Sequence, residues 1–114
     1  MTGPDPIVTG LRAWTRHHDA HVCAAAELLI DHGFWLRRRD FLRACVHRDG
    51  RQAWIGWHEA REFTDAGPRA STSELAVLDL AVALGENRYR LSIMGHAHSQ
   101  WIATAVARAV GMQP

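Results

Sequence analysis

Short apolar stripes at helical spacing, each closed by a glycine or an Asp/Gly/Pro breaker, constrain this chain more than any other feature. Asp5-Pro6 supplies an N-cap and a proline at the first helical position. Ile7, Leu11 and Trp14 follow at helical spacing, so residues 6–17 read as a first helix, weakened by Gly10. Asp19 caps a second, whose stripe is Val22, Ala26 and Leu29 with Cys23 and Ile30 beside it, and Gly33 stops it as a C′ residue. Phe34-Trp35-Leu36 connects to a third helix, Arg37 to about His47, with Phe41, Ala44 and Cys45 on one face.

Asp49-Gly50 admits two readings, a helix stop or the turn of a hairpin joining Cys45–Arg48 to Arg51–Ile55. The helix, followed by a short extended Gln52–Ile55, is preferred. Gly56 opens a fourth helix, Trp57 to about Thr64, closed by Asp65-Ala66-Gly67-Pro68. Ser71 with Glu74 three residues on fits a capping box for the helix Leu75–Leu84, and Gly85 ends it. Tyr89, Leu91 and Ile93 alternate with Arg88, Arg90 and Ser92, the period of a strand able to pair with Ala53–Ile55. A last helix runs from about Ser99 to Val110. The expected fold is mainly α: a compact single domain over residues 1–114, of five or six short helices, with a small two-stranded ribbon of about 52–55 and 89–93.

A chain of 114 residues with 47% hydrophobic and 22% charged side chains is one domain of ordinary soluble composition. At that length roughly two-thirds of the unfolded surface can be buried, which suffices for a core without disulfides or metal. Cys23 and Cys45 lie in apolar patterns beside alanines and read as small buried hydrophobes. MTGPDPIVTG lacks the charged start and apolar run of a secretory signal, and no apolar stretch nears the ~20 residues of a membrane span. A reduced, cytoplasmic setting without membrane contact is expected.

All thirteen basic residues are arginines, and six of them fall between Phe34 and Arg51. With eighteen alanines and a single asparagine, the lack of lysine reads as the codon bias of a GC-rich genome. Guanidinium is planar, permanently charged and fork-shaped, so the cluster suits phosphates, carboxylates and aromatic faces. Net charge is only +1, which argues against generic polyanion binding. Its distribution is uneven: residues 1–33 carry −2, 34–51 carry +4, 52–86 carry −4 and 87–114 carry +3. Opposed blocks suit a homodimer in which one copy's positive patch meets the other's negative one, and they equally suit an ordinary surface with complementary neighbours.

Arginine and tryptophan are the types most enriched at binding hot spots. They cluster here at Trp35/Arg37–Arg39 and at Trp54/Trp57/Arg61, while Trp14 and one of Trp54 or Trp57 fit core stripes. The candidate partner- or nucleic-acid-binding residues are therefore Trp35, Arg37, Arg38, Arg39, Arg43, Arg48, Arg51, Trp57 and Arg61. The leading expectation is a small non-catalytic regulatory or adaptor protein that binds a protein partner or a second copy of itself. A DNA-binding transcriptional regulator using Arg37–Arg51 is the alternative, since arginines on one helix can clamp phosphates or read guanine, although Asp40 and Asp49 interrupt the patch. A small metal-dependent enzyme is the third reading. It would use His17 and His21, which the Asp19 cap separates, and His96 and His98. No HExxH, CxxC, GxSxG, Walker loop or GxGxxG is present, and the adjacent pairs Asp31-His32 and His58-Glu59 point to different sides of a helix. No catalytic residue and no cofactor is assigned.

Ser71-Thr72-Ser73-Glu74-Leu75-Ala76-Val77-Leu78-Asp79-Leu80-Ala81, together with Ala53-Trp54-Ile55-Gly56-Trp57 and Trp35-Leu36…Asp40-Phe41, resembles small uncharacterised proteins of high-GC actinobacteria. The resemblance covers most of residues 20–111. It implies a compact domain and such a source, and carries no activity.

Overall fold

In the computed structural model, which describes residues 5–112 without the Ser92 side chain, six α-helices and one hairpin follow the breakers read from the sequence. The Asp5 carboxylate accepts the Ile7 amide at 2.8 Å and starts α1 (Pro6–Thr15). Helix α2 (Ala20–His32) ends at Gly33, whose φ of +76° would strain a residue bearing a Cβ. A 3-10 turn at Trp35–Arg37 leads into α3 (Arg39–Cys45). Strands β1 (Val46–Asp49) and β2 (Gln52–Ile55) precede α4 (Trp57–Asp65) and α5 (Thr72–Gly85). Two further 3-10 turns, Leu91–Ile93 and His96–His98, lead to α6 (Ser99–Ala109). The reading of residues 1–4 as free of a secretory signal lies outside the described residues.

Two expectations about the ribbon are corrected. The third helix stops at Cys45 rather than His47, and residues 46–49 form the antiparallel hairpin with 52–55, Val46 opposite Ile55 and Asp49 opposite Gln52. The loop is Gly50-Arg51, with positive φ (+61°) at Gly50 alone, the glycine-first pattern of a II′ turn that matches strand twist. Val46 and Ile55 then sit across from each other on the face turned to the core, which a continued helix could not arrange. Residues 89–93 are not the second strand: Arg90 at φ +51° breaks the extended run, and Leu91–Ile93 coils into a 3-10 turn.

The core lies between α2 and α5. Ala25, Ala26 and Leu29 of α2 and Leu78, Ala81, Val82 and Ala83 of α5 are all buried, and the small side chains let the helices approach closely. Trp35 is wholly buried. Its indole N–H donates to the Glu74 carbonyl at 3.0 Å, and its ring meets Phe63 edge-on at 5.9 Å and Phe41 at 6.2 Å. The tryptophans expected in the core, Trp14 and one of Trp54 or Trp57, are only half-buried. Helix α1 covers β2 through Gly10, where a Cβ would stand 2.9 Å from the Ala53 amide nitrogen, so the glycine that weakens the helix permits the contact. Among the described residues, no helix is long and apolar enough to cross a membrane.

Candidate functional site

The nine residues singled out from the sequence divide by whether their groups are already engaged. Trp35 is inside the core and reaches no partner. Trp57 is half-buried with its ring against Gly85. Arg37 donates from Nε to the Gly33 carbonyl at 2.9 Å and so closes the end of α2. Arg38 donates to Asp40 (Nε to Oδ1, 3.0 Å) and to the Arg69 carbonyl, and its guanidinium lies 4.8 Å over the Trp35 ring. The hydrogen bond from Arg38 holds the Asp40 carboxyl below its ordinary range. Arg61 faces Glu86 and Asp79 at 3.0 Å each, with Asp65 at 3.6 Å, and the bonds to Glu86 and then Asp79 raise its already high pKa. These five side chains already have contacts within the fold, so in the clusters Trp35/Arg37–Arg39 and Trp54/Trp57/Arg61 only Arg39 keeps a guanidinium without a hydrogen-bond or ion-pair partner among the described residues.

Four arginines remain. Arg39, Arg43, Arg48 and Arg51 are exposed, and none is ion-paired with a carboxylate among the described residues. Local geometry brings them together. Arg39 and Arg43 are one turn apart on α3 and share a face with Leu42. Val46 and Arg48 stand two apart on β1, hence on one side of the hairpin. Ile7, in the first turn of α1, completes an open groove of about 460 Å³ with Ile7, Leu42 and Val46 as its apolar lining and Arg39, Arg43 and Arg48 as its charges. A smaller hollow of about 340 Å³ adjoins it, lined by Pro6, Thr9, Arg48, Gly50 and Arg51. Arg48 is common to both, and no carboxylate lines either. Unpaired guanidiniums around a partly apolar concavity attract an anion and give it an apolar seat.

Other chemistries find less. Cys45 is fully buried, and burial first, then Glu59 and Asp40, push its thiol up to about 12, so it stays protonated at neutral pH. His21 contacts the Leu84 carbonyl through Nδ1 at 3.0 Å with Asp19 3.7 Å from Nε2, and His98 contacts the Met94 carbonyl, while His17 and His96 are exposed. Among the described residues, no three His, Cys, Asp or Glu side chains converge as a metal would require.

Two features were missed in the sequence. One is the groove's apolar lining, since Val46 and Arg48 share a side only once the hairpin is accepted. The other is a ladder of stacked rings, His18 on Trp14 (3.5 Å between centroids), Trp14 on Trp54 (6.2 Å) and Trp54 on His47 (5.8 Å). His47 in turn contacts Glu59 at 2.8 Å and holds that carboxyl below its ordinary range. Trp14 and His18 are one helical turn apart and His47 and Trp54 are cross-strand partners, so the ladder joins up only once the hairpin forms and α1 packs on it. No protein-family model, curated protein or solved structure matches the chain.

Proposed function

We propose that this is a non-catalytic adaptor or regulatory protein, cytoplasmic in setting, that captures an acidic protein segment in the groove between α3, β1 and α1. One observation carries the reading: Arg39, Arg43 and Arg48, none of them paired with a carboxylate among the described residues, line one open groove with an aliphatic lining, and Arg51 lines the hollow beside it. A bound segment would set Glu or Asp side chains against Arg39, Arg43 and Arg48 and place one aliphatic side chain on Ile7, Leu42 and Val46. Arg51 extends the charge to one side. Interfaces of this kind draw orientation and on-rate from the charges and residence time from the apolar anchor.

The apolar lining supports a peptide over a phosphate backbone, which would leave it unfilled. Helix α3 has seven residues with Phe41 and Cys45 buried, so it is short and seated for a helix that must enter a major groove. No aromatic ring lines the groove as a platform for bases.

Fluorescence anisotropy with a labelled peptide of alternating Glu and Asp around a central leucine tests the proposal. Arg43→Ala plus Arg48→Ala should weaken binding about tenfold or more, equal to ~1.4 kcal/mol, and raised salt should weaken it further. Arg37→Ala, at a side chain engaged with the Gly33 carbonyl, should change it little. Duplex DNA binding more tightly than the peptide, with the same two arginines required, would replace this reading by that of a DNA-binding regulator.

A further inference from the structure

The hairpin has one covered edge and one open edge. Strand β2 lies against α1, whose Gly10 comes so close that a Cβ there would stand 2.9 Å from the Ala53 amide nitrogen. Strand β1 pairs with β2 alone, and His47, Arg48 and Asp49 are exposed. The register decides which backbone groups of β1 are unused. In an antiparallel pair, residues bonded to the neighbouring strand alternate with residues whose N–H and C=O point away from it. The Gly56 amide donates to the Cys45 carbonyl at 2.8 Å, and Asp49 faces Gln52 across the Gly50-Arg51 loop. Cys45, His47 and Asp49 therefore bond toward β2, while Val46 and Arg48 point outward. The Val46 amide agrees with that phase, since it turns back to the Leu42 carbonyl at the end of α3. The Val46 carbonyl and both the amide and the carbonyl of Arg48 have no backbone partner among the described residues.

Val46 and Arg48 are also the two strand residues whose side chains line the arginine groove. We propose that a partner segment enters this site as a third strand, extended along the open edge of β1, with acidic or aliphatic side chains at every second position. This rests on the reading of the groove as a seat for an acidic segment, and adds the conformation and periodicity of that segment. Strand addition of this kind takes affinity from backbone hydrogen bonds and specificity from what alternate side chains meet.

Charge on the two faces of the hairpin singles out that occupant. An added strand sends alternate side chains to opposite faces. On the groove face they meet Val46, Arg48 and, from α3, Arg39 and Arg43, with no carboxylate in the lining. On the other face they meet His47 and Asp49, with the Glu59 carboxylate 2.8 Å from His47 Nε2. Acidic side chains are favoured on the first face and disfavoured on the second, where lysine or threonine fits. A helical segment would carry its acids three and four residues apart and leave the Arg48 amide and carbonyl unpaired. A second copy of β1 is a poor occupant, because antiparallel pairing would gather the Arg39, Arg43 and Arg48 of both copies on one face.

Fluorescence anisotropy of the full chain with two labelled peptides of one composition tests the proposal. In one, glutamates alternate with lysine and threonine around a central leucine; in the other, the same glutamates stand at helical spacing. The alternating peptide should bind about tenfold more tightly. Methylating its backbone nitrogens at every second residue should weaken binding about tenfold in one phase and little in the other, because only alternate amides face β1. The sensitive phase tells antiparallel from parallel addition. Asp49→Lys, with far-UV circular dichroism unchanged, should reverse the preference at the intervening positions from lysine to glutamate. Binding that needs Arg43 and Arg48 but responds alike to both methylated phases overturns strand addition and leaves the groove as an acidic-segment site. Equal or tighter binding of the helically spaced peptide, or indifference to Asp49→Lys, does the same. If no acidic peptide binds, the groove reading and the strand addition fall together.

Discussion

At Gly85 a Cβ would fall within the Trp57 indole. Two effects of Gly85→Ala oppose each other: better helix propensity gains about 1 kcal/mol, while overpacking against a fixed ring costs about 1–3 kcal/mol or more. The ring wins, because Trp57 begins α4 and cannot retreat without moving that helix off Ala60 and the core. We expect Gly85→Ala to lower stability by about 2 kcal/mol in urea unfolding, with a shift in tryptophan emission as the ring is displaced. The arginines show what a sequence conceals at this scale. Arg38 and Arg39 are neighbours of one type, yet Arg38 folds over Trp35 and pairs with Asp40 while Arg39 faces a groove. Arg61 finds Glu86 twenty-five residues away, a pairing no local pattern announces. Trp35, set beside three arginines, reads as surface, but the 3-10 turn aims it inward between Phe41, Phe63 and the start of α5.

Among elements, those defined by local chemistry were legible. The Ser71 hydroxyl accepts the Glu74 amide at 3.2 Å, and the Glu74 carboxylate accepts the Ser71 amide at 2.8 Å, the reciprocal box its spacing predicts. Ser71→Ala should cost about 1 kcal/mol, measured as a lower urea midpoint with an unchanged slope. Asp5, Gly33, Gly56 and Gly85 fall at helix ends for the same reason: a cap acts within one turn. Elements decided by distant contacts were not legible. Val46-His47-Arg48-Asp49 carries no strong preference of its own, and the hairpin prevails because Val46, Ala53 and Ile55 then pack on the core. The alternation of Tyr89, Leu91 and Ile93 looks like a strand, but all three side chains are exposed, so no buried face enforces it.

For the whole molecule, the helical class was legible from the breakers, and the site was not, because it joins α1, α3 and β1 through a hairpin the periodicity disfavoured. The radius of gyration, 14.8 Å, exceeds the ~13 Å of a close-packed domain near this size. That excess fits a C-terminal helix standing off the α2–α5 core. Three carboxyls lie below their ordinary values: Asp40 through Arg38, Glu59 through His47, and Glu74 through the Ser71 amide. Folding thus lowers their proton affinity, so their contribution is complete above the ordinary values, 3.8 for Asp and 4.5 for Glu, and is lost as pH falls through the lowered ones. The urea midpoint should fall between about pH 6 and about pH 3, and Glu59→Gln should flatten that fall. The pairing of α1 with β2, and of α2 with α5, carries a consequence for synthesis. Both helices leave the ribosome before the segments that cover them, α1 some forty residues ahead of Ile55 and α2 about fifty ahead of Leu78. With ten and thirteen residues they are marginal alone, so the nascent chain carries Leu11 and Leu29 uncovered until its middle and then its later helices emerge, an interval in which the fold itself gives them no shelter from aggregation.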